Sequence, residues 1–105
     1  MIKVRFLEEA DLELSKAVDH YEQIYFGLGL DFEREVKENI FKIAEAPGIW
    51  SLRDDGTRRF STKRFPYRIV YLLHEDVIWI VAVAHHKRFP EYWKERLKSE
   101  LTDSL

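Results

Sequence analysis

The chain reads as an α+β domain. An N-terminal strand is followed by an antiparallel helical hairpin packed on a small, largely antiparallel sheet, and by a short C-terminal helix. Three observations predict this. Apolar residues alternate at the start and again over residues 67–84, the period of a strand with distinct faces. Between these stretches the period lengthens twice to that of a helix, with a break at Gly27 and Gly29. The 105 residues are 46% hydrophobic and 14% aromatic, enough for one core and therefore one domain, residues 1–105.

Each element has its own warrant. Ile2, Val4 and Phe6 alternate with Lys3 and Arg5, which predicts a half-buried strand. From Glu8 onward, Ala10, Leu14, Ala17, Val18, Tyr21 and Ile24 share one helical face. Glu8, Glu9 and Asp11 suit the positive end of that helix dipole. A second helix is predicted over 31–45, with Asp31 as N-cap, an apolar stripe of Phe32, Val36, Ile40 and Ile43, and Pro47-Gly48 as its end. The short connection makes the two helices an antiparallel pair. Asp54-Asp55-Gly56 reads as a turn before a short strand from Arg58 to Thr62. Pro66 opens the next strand, where its missing N–H is tolerable. His74-Glu75-Asp76 turns the chain into a hairpin. In the last strand Ile78, Ile80, Ala82 and Ala84 alternate with Val77, Trp79, Val81 and Val83. Being apolar on both sides, that strand is expected to be central and covered on both faces. Residues 90–100 read as a terminal helix or turn with Pro90 at its first position, and Thr102 to Leu105 as a frayed end.

Composition excludes several classes. With no cysteine there is neither a disulfide framework nor a thiolate metal site. No apolar run is long enough for a transmembrane helix, and the first residues lack a secretory leader, so a cytoplasmic protein is expected. The net charge of −2 conceals segregation. Residues 1–54 carry 7 Lys and Arg against 12 Asp and Glu, and residues 57–98 carry 10 against 4. The basic half suits a polyanion or an acidic partner. The acidic half is equally the solvated outside of two amphipathic helices, and the acidity of the whole argues against nonspecific coating of nucleic acid.

The groups able to do chemistry cluster late in the sequence. Arg68 lies mid-strand between Tyr67 and Ile69. A charged residue there usually points to solvent, but its planar fork also suits a phosphate or carboxylate. His85 and His86 end the last strand, and adjacent strand residues face opposite ways, so one of them at most serves a given site. Beside Lys87 and Arg88, an imidazole is disfavoured as a cation and favoured as a base. Arg58, Arg59, Lys63 and Arg64 are either loop charges around a turn or, with Arg68, the lining of an electropositive groove. Trp93 is expected to fasten the C-terminal segment to the sheet. Tyr92 can stack on a base or donate a proton. No cofactor is expected, and no metal: two adjacent histidines do not easily share one ion, and HExxH spacing is absent.

With these residues in view, the chain resembles the RelE/ParE superfamily of toxins from bacterial type II toxin–antitoxin (plasmid stabilisation) systems. The resemblance rests on the opening strand, the helical hairpin ending in Ala46-Pro47, the strand Phe65-Pro66-Tyr67-Arg68-Ile69-Val70-Tyr71, and Ala84-His85-His86-Lys87-Arg88-Phe89-Pro90-Glu91-Tyr92-Trp93. It implies a cytoplasmic toxin held inactive in a hetero-oligomer with a cognate antitoxin that covers its basic groove. It also implies one of two activities. RelE-like members cut mRNA in the ribosomal A site, whereas ParE-like members inhibit DNA gyrase without chemistry.

The ribonuclease branch is the first expectation. There the resemblance implies Arg68 as the phosphate-stabilising arginine, Tyr92 as the C-terminal tyrosine, and Arg88 or Lys87 as the arginine after the last strand. Arg58, Arg59, Lys63, Arg64 and Lys87 would contact RNA. RelE-like members usually offer two close lysines before the hairpin; here a single lysine, Lys63, stands among arginines. Arginine stays protonated and is no base, so that role falls to His85 or His86. Gyrase inhibition is the alternative, favoured by the incomplete lysine set and the acidic total charge.

Overall fold

The computed structural model describes residues 2–89 and 92–98. The elements run β1 (Lys3–Phe6), α1 (Glu8–Ile24), α2 (Leu28–Glu45), β2 (Arg58–Ser61), β3 (Tyr67–His74), β4 (Val77–His85) and a single turn, α3 (Lys94–Arg96). The order of the sheet is β1-β4-β3-β2. β4 pairs antiparallel with β3 and parallel with β1, and β2 closes the far edge antiparallel to β3. The α+β architecture is therefore the one the periodicities imply. The expectations for Pro90 and for Thr102 to Leu105 lie outside the described residues.

The helical hairpin covers one face of the sheet. Tyr21 of α1 and Phe32 of α2 pack their rings against Tyr67 on β3 and against Phe65 just before it. Ile69, Val70, Tyr71, Ile78, Ile80, Val81, Phe32, Val36 and Ile43 are fully buried in the common core. β4 is central as expected, with Val81 to Ala84 buried on both faces. The second cover is the C-terminal segment, whose Trp93 is 1% exposed. The sheet thus has no bare face around the middle of β3 and β4.

The hairpin between the helices is tighter than the sequence suggests. α2 begins at Leu28, ahead of the expected Asp31, and its N-cap is Gly27 with φ of 89°. Capping comes from a distance: the Glu22 carboxylate accepts the N–H groups of Gly27 at 2.8 Å and Gly29 at 3.0 Å. Asp31 sits in the first turn, where its charge still suits the dipole. Gly29 lets the two helices touch, since a Cβ there would lie 2.4 Å from the carbonyl oxygen of Val18. Gly29→Ala is therefore expected to destabilise the fold by about 2–3 kcal/mol through overpacking. A urea midpoint unchanged from wild type would show that the hairpin separates freely.

At the other end of the sheet, Glu75 and Asp76 both adopt positive φ (48° and 62°) in the two-residue turn from β3 to β4. That backbone matches strand twist, so the hairpin is short and its register fixed.

Candidate functional site

One irregularity decides which side chains meet. Along the hairpin, Tyr67 pairs with His85, Arg68 with Ala84, Ile69 with Val83 and Val70 with Ala82; then Tyr71 pairs with Ile80. Val81 is therefore an extra residue in β4, a β-bulge. It inverts the alternation. Ile78, Ile80, Val83 and His85 face the helices, and Trp79, Ala82 and Ala84 face the other way. The simple alternation through Val83 expected from the sequence ends at this bulge.

His85 consequently turns toward α1. Its ring meets Tyr67 edge-on at 5.1 Å. It lines a cleft of about 380 Å³ with Glu13, Lys16, Ala17 and His20 of α1, Tyr67 of β3, Val83 of β4 and Arg88 beyond it. The imidazole is held in one state. Its Nδ1 accepts the backbone N–H of Lys87 at 3.0 Å. Burial disfavours its cation, and Lys87, His86 and His20 add like charge, so its pKa lies below the ordinary value. A neutral ring whose Nδ1 lone pair is taken carries its proton on Nε2. Toward the cleft His85 is a donor.

Glu13 organises the wall of this cleft. Its carboxylate accepts the Tyr92 hydroxyl at 2.6 Å, two Arg96 N–H groups at 2.9 Å each, and the Val83 N–H at 3.1 Å. Arg96 also donates to the Val81 carbonyl at 2.9 Å. β1 pairs only as far as Ile80, with the Leu7 N–H adding one bond to the Ile80 carbonyl. Glu13 and Arg96 therefore satisfy the edge of β4 that β1 leaves uncovered. Tyr92 is committed to this cluster. Burial, and then its bond to Glu13, hold its pKa well above the ordinary tyrosine value. Arg88 lies over the Tyr92 ring, 3.9 Å from its centre.

Arg68 sits elsewhere. Its partners across the sheet are Ala84 and Ser61, so it projects from the face opposite His85. It is half-buried, and among the described residues it pairs with no carboxylate. The His86 N–H bonds to the Pro66 carbonyl, extending the ladder, so alternation puts the His86 ring on the Arg68 side. On that same face Trp93 donates its indole N–H to Asp55 at 3.2 Å, and the Arg59 guanidinium stacks over the indole at 4.8 Å. Asp55 also accepts the N–H and hydroxyl of Thr57.

The remaining cations disperse. Arg58 is spent on the carbonyls of Trp50 and Gly48, at the end of the hairpin cover. The backbone N–H groups of Lys63 and Arg64 are held by Glu35 of α2, and Arg64 pairs with Asp31 at 3.7 Å. Lys87 is exposed on the turn after β4. Thus His85, Arg88 and the Tyr92 ring gather on the α1 side. Arg68, His86 and Arg59 lie on the other face, and Lys63 and Arg64 lie against α2. From the sequence Asp55 is only a turn residue, and Glu13, Lys16 and His20 carry no site role. Glu13 carried a signal, because it falls within the apolar stripe of Ala10, Leu14 and Ala17, where a carboxylate needs partners.

Comparison with known proteins fits this picture. Residues 4–90 match the family model of the ParE toxin of the parDE type II toxin–antitoxin system. The fold is similar to the chromosomal ParDE toxin–antitoxin system of P. aeruginosa, with TM-score 0.72 and 17% identity over 81% of this chain and 96% of that one. It is also similar to the intact E. coli RelBE toxin–antitoxin complex, with TM-score 0.65 and 22% identity over 84% and 100%. The isolated E. coli RelE toxin matches with TM-score 0.64 and 20% identity over 93% and 97%. No curated protein matches in sequence.

Proposed function

The chain belongs to the ParE toxin family of type II toxin–antitoxin systems, and from that premise we propose that it acts by binding and not by catalysis. On this reading it is a ParE-like inhibitor of DNA gyrase, neutralised by a cognate antitoxin in a hetero-oligomer. The observation that carries the reading is the commitment of the two groups that RNA cleavage needs. A cleaving site requires a base for the ribose 2′-hydroxyl and an acid for the leaving oxygen. The His85 lone pair already accepts the Lys87 N–H, and the Tyr92 hydroxyl already donates to Glu13. Arg68, the natural phosphate anchor, is on the other side of the sheet. Among the described residues no helix is long and apolar enough to cross a membrane.

An antitoxin partner is supported by the family and by apolar side chains left uncovered at the hairpin tip and along α2. Phe26 is 92% exposed, and Ile24, Tyr25, Leu30 and Phe41 are each more than half exposed. Apolar side chains gathered at an exposed hairpin tip are what protein partners cover.

A ribosome-dependent mRNA endoribonuclease is the second reading. It is favoured by Arg68, which lacks an acidic partner among the described residues, and by His86 on the same face. One comparison separates the two. Purified toxin is expected to inhibit supercoiling by gyrase at micromolar concentration and to leave mRNA on translating ribosomes intact. Cut mRNA with undisturbed supercoiling would reverse the choice.

A further inference from the structure

We propose that the cleft between α1 and the end of β4 receives a carboxylate from an acidic segment of the toxin's protein target. The inference rests on the reading of the chain as a protein-binding toxin and names the contact that reading leaves open.

Four donors converge on the cleft, from α1, from the end of β4 and from the turn after it. Lys16 and His20 stand one turn apart on α1 and so share a face. Opposite them are His85, whose Nδ1 is taken by the Lys87 N–H so that Nε2 is left to donate, and Arg88, whose guanidinium is steadied over the Tyr92 ring. Among the described residues neither Lys16 nor Arg88 forms an ion pair with a carboxylate. The one carboxylate in the lining, Glu13, is occupied by Arg96, Tyr92 and the Val83 N–H, so its charge is already answered. Ala17, Tyr67 and Val83 supply an apolar floor that weakens competition from water. Such a floor strengthens a charge-assisted bond to a single anionic group.

The surroundings select a peptide over a nucleic acid. A nucleic-acid strand needs a basic track several phosphates long. Here the cleft holds about 380 Å³ between Lys16 and His20 on one side and His85 and Arg88 on the other, room for one anionic group. A single acidic side chain on a neutral backbone supplies one such group, whereas a nucleic-acid strand would leave its neighbouring phosphates outside the cleft.

The 105-residue chain tests this with the peptide acetyl-Gly-Asp-Glu-Asp-Gly-amide and with oligouridine as rival probe, read through the imidazole resonances of His20 and His85. The peptide is expected to move both rings together. A Lys16→Gln/Arg88→Gln double change, at two exposed positions, is expected to weaken its binding by about tenfold or more. Supercoiling inhibition should fall by a similar factor. Lys37→Gln, on the outer face of α2, should change neither. Unmoved rings, tighter binding of oligouridine at the same rings, or undiminished supercoiling inhibition by the double variant would each overturn the proposal. The last of these leaves gyrase inhibition itself standing. Cleavage of ribosomal mRNA, in contrast, would remove the functional reading whatever the peptide does.

Discussion

Replacing Glu13 by alanine is expected to destabilise the protein by about 3–5 kcal/mol, the range for removing one partner of a buried charge pair. Glu13 and Arg96 are each only about 15% exposed (15% and 14%) and meet at 2.9 Å. Without the carboxylate, Arg96 is left as an uncompensated cation and the Val83 N–H and Tyr92 hydroxyl lose their acceptor. The C-terminal segment would then loosen from the edge of β4. Glu13→Gln loses the charge but keeps one acceptor oxygen, enough for the Val83 N–H or the Tyr92 hydroxyl though not both, so its loss should be intermediate. Glu13→Leu combined with Arg96→Met removes both charges and is expected to recover most of the stability. Urea denaturation measures all three. A Glu13→Ala variant within about 1 kcal/mol of wild type would mean that the edge of β4 is satisfied by water.

Trp93→Ala is the second large effect, at about 3–5 kcal/mol for truncating a buried aromatic. Its indole fills the face of the sheet opposite the helices and anchors to Asp55, while Arg59 stacks on it. Trp93→Phe retains most of the ring and gives up the N–H bond, so about 1 kcal/mol is expected from it. The same cluster makes stability depend on acid. Burial alone would raise the Asp55 pKa, but the hydrogen bonds from Thr57 and Trp93, together with Arg59, outweigh it and hold the carboxyl below its ordinary value. A group depressed in the folded state stabilises fully above its unfolded pKa, near 4 for aspartate. That contribution disappears as pH falls through the folded value. Asp55→Asn should therefore lower the urea midpoint at neutral pH and flatten its decline below pH of about 4. An equal acid slope in both proteins would assign it to other carboxylates.

Much of the fold was legible because its signals are local. The alternation of Ile2, Val4 and Phe6, the stripe of Phe32, Val36, Ile40 and Ile43, and the turn residues before β2 each report on a few neighbours. The tail clamp was legible too, since a tryptophan beyond a central strand has few places to go. What escaped depends on residues distant in sequence. Glu22 caps a helix five residues away, where Asp31 offered a nearer and more usual cap. Val81 is the bulge, yet valine suits any buried strand position and no glycine marks the place. Because the bulge lies between Trp79 and His85, alternation read from the start of β4 assigns its end to the wrong side. The candidate site was correspondingly half legible. The residue types were visible, whereas their division between two faces was not.

The ladder has absorbed one extra residue at position 81 without changing partners beyond it. Deleting Val81 would leave Ile80 opposite Tyr71 and Ala82 opposite Val70, an unbroken ladder in which His85 keeps its place opposite Tyr67. Two descendants of a common ancestor that differ there by a single codon would still present the same imidazole to the same neighbours. Functional residues past that codon can be carried between such relatives once it is entered as a gap.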